Sequence, residues 1–78
     1  MLIIDEGRWP AVQKYRHCFD HEHLPEGLPR EVMAAYAGVA QALVDLLPDE
    51  TWLVAAIHDL WESKNAAVFL AVQKVKGR

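Results

Sequence analysis

The chain lacks most of what small domains use to hold themselves together or to do chemistry. Its 78 residues contain one cysteine, Cys18, so no internal disulfide can form. That suits a reducing compartment, and a cytoplasmic location is expected. A chain of this size buries only roughly 60% of its extended surface and usually needs help from metal or partners. No apolar run reaches the ~18 residues of a membrane span, because "DLWESKN" interrupts the longest candidate. The start, "MLIIDEGR", has neither a basic n-region nor a small-residue cleavage site, so a signal peptide is not expected. Eight Lys and Arg stand against eleven Asp and Glu, a net charge of −3. Binding to polymeric nucleic acid needs an excess of phosphate-neutralising cations, so DNA and RNA are poor candidates. A small charged ligand in a local pocket is not excluded by this balance. There is no glycine-rich phosphate loop, since "YAGVAQ" has too few glycines, and no basic recognition helix. Asp59 and Glu62 share a helical side but lack an activated nucleophile, base and oxyanion combination. No enzyme activity and no cofactor are expected.

What is present is helix. Repeats and low-complexity segments are absent, and Pro and Gly punctuate the chain at "WP", "LPEGLP", "LP" and the final "GR". The first seven residues fit either a short edge strand or a frayed end. "PAVQKYRHCF" suits a short helix with Pro10 in its first turn, where the missing N–H costs nothing; "DHEHLPEGL" reads as loop. "PREVMAAYAGVAQALVDLL" opens on proline and an acid, Glu31, and is stopped by Pro48. Val32, Tyr36, Val39, Leu43 and Leu46 or Leu47 make its apolar stripe. Gly38 weakens this helix by up to ~1 kcal/mol but permits a close crossing. Asp49 has the chemistry of an N-cap for a second long helix running to Lys76, with Glu50 at the positive end of its dipole and Lys74 and Lys76 at the other. Leu53, Ile57, Leu60, Ala67 and Ala71 form the stripe that faces the first long helix. The connection is about two residues, so the helices are expected to lie antiparallel. The expected fold is all-α: an N-terminal arm with a short helix and loop over 1–28 and an antiparallel helical hairpin over 29–78, one structural unit overall.

One stretch does not fit a monomer. "NAAVFLAV", Asn65 to Val72, places seven apolar residues in a row, which cover every side of a helix. Trp52, Trp61, Val68, Phe69, Leu70 and Val72 lie at least partly off the intramolecular stripe. Exposed together, they predict self-association into a homo-oligomer.

The run "LVDLLPDETWLVAAIHDLWESKNAAVFLAV" resembles the short helical-hairpin proteins of bacteriophages that act as sponges for cyclic-nucleotide immune signals, the anti-CBASS and Thoeris anti-defence proteins that share one hairpin domain. The likeness covers about Arg30 to Val72. It rests on an Ala- and Leu-rich helix ending in Pro48-Asp49, on Trp52 near the start of the next helix, on Asp59-Leu60 in mid-helix and on the small and aliphatic run "AAVFLAV". Tyr15-Arg16 matches a Tyr-Arg pair found upstream in many members. The chain departs from the pattern in having no lysine within "VMAAYAGVAQALV", and in a linker, "HCFDHEHLPEGL", that matches only loosely. The resemblance implies a homo-oligomer, with a hexamer favoured. It would hold cyclic di- or trinucleotides, or cyclic ADP-ribose isomers, between protomers without cleaving them, in the cytoplasm of the host bacterium.

Such a ligand needs aromatic faces for its bases, worth ~1–3 kcal/mol per base, and cations for its phosphates. "KYR", Lys14, Tyr15 and Arg16, has both within three residues; the alternative is an aromatic packing anchor between two solvated cations. The resemblance implies Tyr15 as the stacking residue and Arg16 as a phosphate or packing partner. Arg30 opens the first long helix, where free N–H groups favour anions, or is simply a surface arginine. Trp61, Lys64 and Asn65 share a helical face and suit a nucleotide pocket, or an oligomer core residue with a rim charge. His17, Cys18, His21 and His23 crowd too closely for the two separated ligand pairs of a structural zinc site, so no metal is expected. His58 lies far along the chain from them. The competing reading is a helical oligomerisation or adaptor protein with no nucleotide ligand.

Overall fold

A computed structural model of the protein describes residues 1–77 and is all-helical over its regular elements, with no strand among the described residues. The elements are α1 (Pro10–Gln13), α2 (Leu28–Leu46) and α3 (Thr51–Val75). The molecule measures 43 × 20 × 17 Å. α2 and α3 pack on one another, with Tyr36 and Ser63 sharing a hydroxyl hydrogen bond of 2.8 Å. Gly27 and Pro29 at the start of α2 border one depression together with Val72 and Val75 at the end of α3. Gly27 precedes α2 at φ 142°, a conformation that favours glycine, and Pro29 occupies the first turn.

The N-terminal segment is neither strand nor frayed. Leu2 and Ile4 point into the core while Met1 and Ile3 face out, the alternation of an extended chain. Its backbone is satisfied by other means than a sheet. The Gln41 side chain accepts from Ile3 N–H at 2.8 Å and donates back to Ile3 C=O at 2.9 Å, while Leu2 N–H donates to Arg16 C=O at 2.9 Å. The terminal amine is held by Asp20 and Glu22, each at 2.9 Å.

Several expectations change at the boundaries and faces. α1 is a single turn, after which tight turns carry the chain to Cys18. α3 starts at Thr51 with Glu50 as its N-cap and no side-chain cap. Asp49 does not cap it, because its carboxylate is taken by the arm: Arg8 Nε donates to Oδ1 at 2.6 Å and Trp9 N–H to Oδ2 at 2.8 Å. The same guanidinium caps the end of α2 through Val44 C=O at 2.9 Å and Leu47 C=O at 3.0 Å. Burial pushes the Asp49 carboxyl up, but these hydrogen bonds outweigh it and hold the group below the usual carboxylate range.

The α2 stripe is rotated by about one residue from the expected one. Ala40 and Val44 are buried, Tyr36 and Leu43 pack at the edge, and Val39 and Leu46 are exposed, Leu46 at 79%. The reason is that α2 serves two neighbours, α3 on one side and the arm held by Gln41 on another. Gly38 does not mark a crossing, since a Cβ there would meet nothing within 4 Å. On α3, Leu53, Ile57 and Ala71 are buried as expected, Leu60 and Ala67 are half-buried, and Lys64 is buried between them. The core cluster is Leu2, Ile4, Val12, Tyr15, Phe19, Ala40, Val44, Leu53 and Ile57. Five of these nine come from the first 19 residues, so the arm builds the core jointly with the long helices.

Candidate functional site

Consecutive backbone turns after α1 (Tyr15 N–H to Val12 C=O, Cys18 N–H to Tyr15 C=O) bring Lys14, Tyr15 and Cys18 to one side of the arm. α3 presents His58 and Trp61, one turn apart, to the same place. Together these five side chains line an open cavity of about 240 Å³. Its rear wall is Tyr15, 4% exposed, with its ring edge-on to His58 at 6.3 Å between centroids. The Tyr15 hydroxyl lies 2.9 Å from His58 Nδ1. His58 Nε2 lies on the other side of the ring, 3.7 Å from Glu62 Oε1, so each imidazole nitrogen has a polar neighbour. Burial pushes the Tyr15 phenol above its ordinary value, with the nearby Cys18, Glu62 and Asp59 acting in the same direction. His58 and Trp61 rings are 5.6 Å apart and tilted by 45°. Lys14, which is exposed, holds its ammonium 5.2 Å from the Tyr15 ring centre.

Lys64 sits one turn beyond Trp61 and is 7% exposed. Its Nζ is 5.9 Å from the ring centres of both Phe19 and Trp61 and donates to Asn65 Oδ1 at 2.6 Å. No carboxylate pairs with it among the hydrogen bonds and ion pairs of the described residues. Burial lowers its pKa, only partly opposed by Cys18.

The seven residues expected at a site thus fall in three places. Lys14, Tyr15 and Trp61 converge at the cavity, with Lys64 and Asn65 beside it. Arg16 is elsewhere and is used structurally: its Nη2 donates to Ile4 C=O at 3.1 Å and to the Gln13 side chain. Arg30 borders a different, wider depression of about 540 Å³ with His21, Glu26 and Glu31, where the two acids offset its charge. Tyr15 is also changed in role, because a ring this buried is a wall and an anchor rather than a free stacking face. His58 and Cys18 are pocket residues that sequence spacing does not reveal. His58 meets Tyr15 across 43 positions, a pairing that no local spacing encodes.

The four crowded donors disperse. His17 Nδ1 is 3.0 Å from Asp20, Cys18 Sγ donates to Lys14 C=O at 3.6 Å, His21 borders the Arg30 depression and His23 is exposed. Among the described residues no group of three or more His, Cys, Asp or Glu side chains is arranged to hold a metal ion. Cys18 and His58 share the cavity, but both imidazole nitrogens face other partners, Tyr15 and Glu62. The arrangement offers two tilted aromatic faces, one exposed cation and one buried cation. That chemistry suits a flat ring carrying negative charge.

No helix of the described residues is long and apolar enough to cross a membrane. Comparison of the chain with protein-family models, with curated proteins and with solved structures returns no match.

Proposed function

We propose that the protein is a non-enzymatic, cytoplasmic, homo-oligomeric binder of cyclic nucleotide second messengers, an immune-evasion sponge of the phage type, built on an antiparallel helical hairpin. Cyclic di- and trinucleotides and cyclic ADP-ribose isomers are the ligand class, and a hexamer is the favoured assembly. The observation that carries this reading is the convergence of Lys14, His58 and Trp61 on one cavity walled by Tyr15, with Lys64 behind Trp61. A base stacks on Trp61 and His58, Lys14 meets a phosphate, and Tyr15 holds His58 in place. A volume of about 240 Å³ takes one base, so the rest of the ligand lies at a junction between protomers. Sequestration needs tight binding and no chemistry.

Calorimetric titration with a panel of cyclic di- and trinucleotides and cyclic ADP-ribose isomers tests this. Binding is expected, with the ligand recovered intact after heat denaturation. Trp61→Ala should weaken binding by the stacking contribution, ~1–3 kcal/mol or roughly five- to two-hundred-fold. The second reading, an adaptor that only oligomerises, draws on the exposure of Trp52, Phe69 and Leu70. Silence across the panel would favour it.

A further inference from the structure

The cavity between the arm and α3 is bordered by opposite chemistries. On the arm side stands the exposed ammonium of Lys14. On the α3 side His58 and Trp61 form the lining, and each is followed one turn along the helix by a polar residue. Glu62 comes four positions after His58, and Asn65 four after Trp61. The Glu62 side chain is 63% exposed, with Oε1 3.7 Å from His58 Nε2. Asp59, also exposed, adds a second negative charge to this stretch of α3.

Carboxylates beside a phosphate site are unexpected, because they repel the anion. An ionised carboxylate only accepts hydrogen bonds, and its two oxygens take a pair of adjacent donors. Glu62 therefore suits a part of the ligand that is uncharged and rich in donors. Asn65 has the complementary polarity. Lys64 Nζ donates to its Oδ1 at 2.6 Å, and an ammonium has no acceptor to offer, so the amide orientation is fixed and Nδ2 is left to donate. α3 thus sets an acceptor of two hydrogen bonds next to a donor of one, three positions apart on the exposed side of the helix.

The pairing edges of the bases differ in this respect. Guanine carries two adjacent donor groups, N1–H and the N2 amino group, beside an O6 acceptor. Adenine carries one donor group, the N6 amino group, beside the N1 acceptor. Cytosine and uracil likewise have one donor group each on that edge. Unstacked bases are read on this edge by side-chain hydrogen bonds while aromatic rings hold their faces.

We infer that the cavity selects guanine: Glu62 accepts from N1–H and the N2 amino group, and Asn65 donates to O6, of a base stacked on Trp61 and His58. The ligand is then a guanine-bearing cyclic nucleotide, oriented by the acid on α3 toward its base edge and by Lys14 toward its phosphate. This rests on the proposed function and adds the identity of the base and a specificity-determining residue, Glu62.

The test is calorimetric titration of wild type and Glu62→Gln with cyclic di-GMP, cyclic di-AMP and cyclic di-IMP, whose hypoxanthine lacks the N2 amino group. Circular dichroism checks that the variant, altered at an exposed position, keeps its helix. Wild type should bind cyclic di-GMP about ten-fold or more tighter than the other two, the worth of one added hydrogen bond to a charged group. Glu62→Gln should weaken cyclic di-GMP by a similar factor. It should leave cyclic di-AMP unchanged or bound more tightly, since a negative charge near the phosphates is removed. Tightening of all three ligands alike would show that Glu62 only repels phosphate, and would overturn the inference. Equal or reversed wild-type affinities would also overturn it, while the cyclic-nucleotide reading stands. Binding of none of the three, when other cyclic nucleotides bind, would again overturn only the selectivity; silence across the wider panel would overturn both.

Discussion

Residues 1–19 and the last part of α3, Asn65 to Val75, have exchanged the roles that their composition suggests. The arm carries Asp5, Glu6, Arg8, Lys14, Arg16 and His17 among its apolar residues, yet buries Leu2, Ile4, Val12, Tyr15 and Phe19. Eight of the eleven residues in the helix segment are apolar, yet only Ala71 of it is buried, while Phe69 and Leu70 are exposed. Hydropathy of a run therefore does not decide its burial here. What decides is whether a second element lies against that face: the arm is laid over both long helices, and none of the described residues covers Phe69 and Leu70 on the outer side of α3.

The sharpest way to break this contrast is to truncate one phenylalanine from each region. Phe19→Ala, at 1% exposure, should cost about 3–5 kcal/mol in chemical denaturation. Phe69→Ala, at 66% exposure, should stay within about 0.5 kcal/mol of wild type for a protomer measured below its association concentration. Equal losses would mean that the arm is not core.

A second break acts on the clamp that fastens the arm to the connection between α2 and α3. Asp49 titrates below the usual carboxylate range when folded, so its contribution is present above the unfolded value of about 3.9 and is lost as pH falls through the folded one. Arg8→Ala should lower the melting temperature at neutral pH, and the difference from wild type should shrink as the pH drops below about 4. A difference independent of pH would assign the effect to the bonds to Val44 and Leu47 alone.

Lys64 sharpens the comparison from the other side, as a charge where an apolar residue would pack. Lys64→Met keeps the length and removes the desolvation cost, so stability should rise by about 1 kcal/mol. If the proposed ligand is bound, the same change should weaken its binding in calorimetry. A loss of stability would show that the ring contacts with Phe19 and Trp61 outweigh desolvation. A gain of similar or smaller size is expected at Gly38, which stands on an open face. Gly38→Ala should stabilise by about 0.5–1 kcal/mol through helix propensity alone, read as a shift in denaturation midpoint at constant slope.

The amino-acid order by itself determined the helices. Pro29 and Glu31 at one end and Pro48 at the other delimit α2, and the 53/57/60/67/71 spacing set the inner face of α3, because capping and periodicity are local. Lys64 was expected in a nucleotide pocket or as a rim charge, whereas it fills the gap in that stripe and is buried. Three matters were decided only in the tertiary structure. Asp49 is chemically fit to cap α3, but Arg8, 41 positions away, binds it more fully. Val39 and Val44 are alike in hydropathy, and only the docking of the arm through Gln41 selects which is buried. Tyr15 and His58 come within hydrogen-bond distance across 43 positions. Local pattern specifies which surfaces an element offers, whereas the pairing of surfaces depends on which distant neighbour can satisfy both its apolar area and its backbone hydrogen bonds.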